Sequence, residues 1–66
     1  MSVIKKLRKA KKISQCELAR TLDVTQAAVS KWENGENLPA LNLIPRIADA
    51  LGADVNELLR DLLKGA

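Results

Sequence analysis

The sequence has no histidine, phenylalanine or tyrosine, one cysteine and one tryptophan. Without histidine, and with a single thiol, neither a nucleophile–base pair nor a metal-ligand cluster can be assembled. The chain is therefore not expected to be an enzyme, and no metal or cofactor is implied. Cys16 has no second cysteine to pair with, which fits a reducing cytoplasm, and it reads as an exposed surface thiol. The three glycines are scattered, so no glycine-rich loop is available to cradle a phosphate. No apolar run is long enough to cross a membrane, and the start lacks a signal-peptide pattern. A lone Trp32 is too few aromatics for a base-stacking platform and is expected in the core.

What remains is a chain rich in leucine, alanine, valine and isoleucine, a composition suited to short, closely packed helices. Its 66 residues suffice for one domain, 1–66, which at this size buries only about 60% of its unfolded surface. The net charge of +3 is unevenly spread. Residues 1–46 hold nine basic and four acidic groups, a net of +5, whereas residues 47–66 hold two and four, a net of −2. The first part suits an anionic partner, with DNA the leading candidate and an acidic protein the alternative.

The stretch from Ile13 to Gly35, ISQCELARTLDVTQAAVSKWENG, organises the rest. Ser14 followed three residues later by Glu17 is a capping box, with Ile13 and Leu18 in the positions of a hydrophobic staple. Thr25, flanked by Val24 and Val29, repeats the arrangement. Two capped helices separated by so few residues must cross rather than stack in line, and small Ala19 lets them approach. On the second helix, Gln26 to Asn34, Val29 and Trp32 share an apolar side with Glu33 beside them. Gln26, Ala27, Ser30, Lys31 and Asn34 fall on the opposite face, which carries no acidic group. Such a face can approach a polyanion and read donor and acceptor patterns on base edges.

SQCELARTLDVTQAAVSKWENG resembles the helix-turn-helix of the phage repressor/Cro family of DNA-binding proteins (XRE-like), and the likeness runs from Leu7–Arg8 to ALGADVNELL at Ala50–Leu59. Ser-Gln opening one helix, Thr-Gln opening the next and Trp-Glu-Asn-Gly closing it form a specific combination. The resemblance implies an all-α, compact five-helix bundle of the lambda repressor-like kind, with helices 2 and 3 forming the helix-turn-helix over about residues 14–34. It also implies that Arg8 reaches Glu33 as a structural ion pair, worth about 3–5 kcal/mol against removal of one partner if partly buried. Gln15 is implied to bond a DNA phosphate. The family commonly has glycine where this chain has Lys12 and Asp23, and basic residues in the loop where it has Glu36.

On this footing the base-reading candidates are Gln26, Ala27, Ser30 and Lys31. A glutamine carboxamide can pair with adenine, a lysine with guanine or phosphate, a serine with several bases, and an alanine methyl with thymine. Phosphate contacts are expected from Gln15, Thr25, Asn34 and Asn37.

Elsewhere, Val3 to Lys12 reads as helix 1, with Ile4 and Leu7 inward and its lysines solvated. Asn42 is expected to cap helix 4, which tolerates Pro45 in its first turn and stops at Gly52. Asp54 and Glu57 read as a second capping box for helix 5, about 55–64, whose leucine stripe is wider than so small a core needs. Leu62 and Leu63 either finish that core or meet a second copy, and homodimerisation is the preferred reading. The functional expectation is a dimeric, sequence-specific regulator of transcription, a repressor on a palindromic operator in double-stranded DNA. The competing class is an antitoxin-like interaction module whose main ligand is a partner protein.

Overall fold

A computed structural model describes residues 1–65. Five α-helices follow one another: α1 (Ser2–Ala10), α2 (Gln15–Leu22), α3 (Gln26–Asn34), α4 (Ile44–Leu51) and α5 (Val55–Gly65), with a 3-10 turn at Leu41–Leu43 before α4. Among the described residues there is no strand, so the all-helical expectation holds. No helix among them is long and apolar enough to cross a membrane.

Four helix ends share one device. The backbone N–H five residues on closes each end: Ile13 onto Arg8 O (3.3 Å), Val24 onto Ala19 O, Glu36 onto Lys31 O and Ala53 onto Ala48 O (each 2.9 Å). This closure needs a left-handed residue just before the closing N–H. Lys12 (φ 60°), Asp23 (φ 58°), Gly35 (φ 77°) and Gly52 (φ 66°) supply it. The two positions where family resemblance implied glycine are thus, among the described residues, the two non-glycine residues with positive φ. Ile13 and Val24, which close α1 and α2, are also the residues that precede the caps of α2 and α3, and both pack against the core. One residue ends a helix and aims the next, so the short connections hold a fixed crossing.

The starts are equally local. Ser14 Oγ accepts from the Glu17 N–H (3.0 Å), and Glu17 Oε1 accepts from the Ser14 N–H (3.1 Å), completing the capping box. Thr25 Oγ1 accepts from the Ala28 N–H at 3.1 Å. Two expected starts differ. Asn42 does not cap α4: it lies within the 3-10 turn, and Leu43 is the residue before the helix. A turn already wound ahead of Ile44 and Pro45, a residue with no N–H to satisfy, leaves a side-chain cap little to do. Asp54 accepts through Oδ1 from the Asn56 N–H (2.9 Å), but among the described residues Glu57 makes no return bond. Half of that box is formed.

The core draws on every helix. Ile4, Leu18, Leu22, Val29, Ile44, Ile47 and Leu58 are fully enclosed, each contributing about 1.5–3 kcal/mol of apolar burial. Trp32 lies in this core, 5% exposed, as its composition-based reading required. The Met1 ammonium donates to the Trp32 carbonyl oxygen, tying the start of α1 to the last turn of α3. At the end of α4, Lys11 Nζ lies 3.3 Å from where a Cβ on Gly52 would sit. An ammonium there faces the negative end of the helix dipole, although Lys11 itself stays exposed.

Candidate nucleic-acid interface

α3 is held from behind by a charged clamp. Arg8 Nε donates to Glu33 Oε2 at 2.7 Å and Nη2 donates to Oε1 at 3.1 Å, a two-pronged pair whose side chains are 10% and 1% exposed. Arg8 Nη1 donates to the Ile13 carbonyl oxygen at 2.8 Å, so the guanidinium also fixes the α1–α2 connection. Gln15 Nε2 donates to Glu33 Oε1 at 3.0 Å. One carboxylate on α3 therefore gathers side chains from α1 and α2. Burial pushes the Glu33 carboxyl pKa up, but the bonds from Arg8 and Gln15 and the charges of Arg8 and Lys5 outweigh it and hold it below its usual value. The same pairing raises Arg8. The expected Arg8–Glu33 ion pair is present. The Gln15 contact was not legible, because nothing local links positions 18 residues apart.

With Val29, Trp32 and Glu33 buried, α3 turns its other side outward. Gln26, Ala27, Lys31 and Asn34 are exposed and Ser30 is half-buried, so the five residues expected on one face are together at the surface. Asn34 Nδ2 donates to Ser30 Oγ at 3.4 Å, a contact between residues one turn apart. Its signal was the i, i+4 spacing of an amide and a hydroxyl.

The other expected contact residues lie around this helix. Thr25 is exposed at its start, with its hydroxyl already engaged in the cap. Gln15 is half-buried, and one amide N–H is committed to Glu33. Asn37 is exposed beyond the end of α3, but its backbone N–H is donated to Lys31 O (3.4 Å), so only its side chain is available to a ligand. On α5, Leu62 is half-buried against the core, while Leu63 is 74% exposed. The two leucines read as a pair thus part company: one finishes the core and the other does not. Cys16 is exposed. Among the described residues no cluster of three or more potential ligands could hold a metal ion.

A family model described as "Helix-turn-helix" matches residues 4–58. The chain belongs to the phage repressor/Cro-type helix-turn-helix family. Three relatives align with this helix-turn-helix chain over most of its length. It is 37% identical over 57 residues to the ImmF control region 10 kDa protein of Bacillus phage phi105, covering 86% of this chain and 63% of that protein. It is 35% identical over 51 residues to the cryptic phage CTXphi transcriptional repressor RstR of Vibrio cholerae serotype O1, covering 77% and 46%. It is 34% identical over 56 residues to the HTH-type transcriptional activator BcrR of Enterococcus faecalis, covering 85% and 28%. The chain thus spans less than two thirds of the length of each. No solved structure matches it.

Proposed function

We propose that this helix-turn-helix chain is a sequence-specific, double-stranded-DNA-binding regulator of transcription, acting in the cytoplasm as a dimeric repressor on a palindromic operator. The observation that carries the reading is the outward face of α3. Gln26, Ala27, Ser30, Lys31 and Asn34 share it with no acidic group, on a helix clamped from behind by a buried carboxylate. A rigid helix with such a face fits the major groove, where amide, hydroxyl, ammonium and methyl groups meet base edges.

In this reading Gln26 pairs with adenine and Lys31 with guanine or phosphate. Ser30 bonds a base edge, and the Ala27 methyl packs against thymine. Gln15, through the amide hydrogen it does not give to Glu33, contacts phosphate together with Thr25, Asn34 and Asn37, fixing the helix in register. The name of one phage relative, the transcriptional repressor RstR, favours repression, whereas BcrR is named as an activator. For the dimer, the exposed Leu63 is the stronger element, with Leu62, half-buried against the core, contributing what it leaves uncovered. Two copies related by a two-fold axis would read half-sites about one helical turn, roughly 34 Å, apart.

Selection of bound sites from random duplexes tests this. The expected product is a pair of inverted half-sites at that spacing. Absence of any enriched sequence, together with a co-purifying protein bound across α3, would replace the DNA reading with that of a protein-interaction module.

A further inference from the structure

We propose that Asn34 is a specificity-determining positioning residue, which orients the Ser30 hydroxyl so that it donates to the base it meets. The inference rests on the base-reading function proposed for α3 and assigns the chemistry of one position within it. A serine hydroxyl carries one proton and two lone pairs, and it rotates to suit its surroundings. Left to itself it could serve any base. Within a helix its proton commonly turns back to the carbonyl one turn earlier. Thr21 does this, donating to Glu17 O at 3.0 Å. Among the described residues Ser30 makes no such bond; its oxygen instead accepts from Asn34 Nδ2 at 3.4 Å.

That contact fills one lone pair from the C-terminal side of the helix and leaves the proton uncommitted. Accepting a bond also polarises a hydroxyl toward donating one. In the major groove the acceptors are purine N7, guanine O6 and thymine O4, and the donors are the amino groups of adenine and cytosine. Ser30 held in this way favours the acceptors. Asn34 keeps a second amide hydrogen, so it can still donate to phosphate. A phosphate contact alone, however, would not alter which base Ser30 prefers.

The test uses the full chain, its selected operator and every single-base variant of that operator. Asn34→Ala is expected to reduce discrimination about threefold to tenfold, the worth of one modest hydrogen bond, and only at the position where Ser30→Ala also reduces it. In a Ser30→Ala background, Asn34→Ala should change that discrimination no further. Asn34→Asp, whose carboxylate can only accept, should draw the serine proton inward and shift preference at that position toward bases presenting an amino group.

If Asn34→Ala weakens all duplexes alike, in both backgrounds, it is a phosphate contact and the proposal fails. It fails equally if Asn34→Asp leaves the ranking of bases unchanged. If Ser30→Ala changes no base preference while Gln26→Ala does, the positioning role is lost but the base-reading face survives. If no duplex is selected at all, both fall together.

Discussion

Replacing Glu33 by alanine removes the carboxylate on which three helices converge. Arg8 loses two of its three bonds and keeps only the one to the Ile13 carbonyl, while the Gln15 amide hydrogen facing Glu33 is left without its acceptor. With side chains 10% and 1% exposed, the pair is shielded well beyond a surface ion pair, which is worth about 0–1 kcal/mol. Stranding one partner of a buried pair costs about 3–5 kcal/mol. A 66-residue domain has roughly 3–10 kcal/mol of total stability at 0.05–0.15 kcal/mol per residue, so Glu33→Ala should be substantially unfolded near physiological temperature. Urea titration followed by far-ultraviolet circular dichroism and Trp32 fluorescence measures the loss. Because much of it is the desolvated charge left behind, Arg8→Met combined with Glu33→Leu should recover most of the stability. A loss below about 1 kcal/mol for the single variant, or a double variant no better than the single, would refute this account.

The same carboxylate sets a pH dependence. Its folded pKa lies below the unfolded value, so the folded state binds its proton less readily than the unfolded one. Its contribution is complete above the ordinary glutamate value of about 4.3 and is lost as pH falls through the lower folded pKa. Urea midpoints should be flat in this respect near neutrality and decline in acid, with the Arg8→Met, Glu33→Leu variant showing less of that decline.

Two further outcomes are expected. Lys12 holds φ 60° with a side chain that resists it, at a cost of roughly 1–2 kcal/mol that glycine's greater unfolded-state freedom only partly offsets. Lys12→Gly should therefore stabilise the chain by about 0.5–1 kcal/mol, read as a rise in urea midpoint. Changing Lys5, Lys6 and Lys9 together to glutamine should weaken selected and random duplexes alike and flatten the salt dependence of binding, because diffuse attraction to phosphate carries no sequence information.

Much of this molecule was legible because its instructions are short-range. Ser14 with Glu17, Thr25, Gly35 after Asn34 and Gly52 after Leu51 each state a helix boundary within four residues, and the 3.6-residue period sorted α3 into a buried and an outward side. The Arg8–Glu33 pair came from likeness to a family, since no local rule joins positions 25 apart. What escaped was decided by space. Gln15 finds Glu33 only once α2 and α3 have crossed, and Asn42 lost its capping role to a turn wound ahead of Pro45. Leu62 and Leu63 look alike in a periodic stripe, but the helix rotation leaves one on the core and the other outside it.

The central claim is that the outward side of α3 reads bases, and the most direct measurement is the affinity of Gln26→Ala for the selected operator and for random duplex at one salt concentration. The account predicts a loss of about 1–3 kcal/mol on the operator and almost none on random DNA. Equal losses on both, or no loss on either, would contradict it.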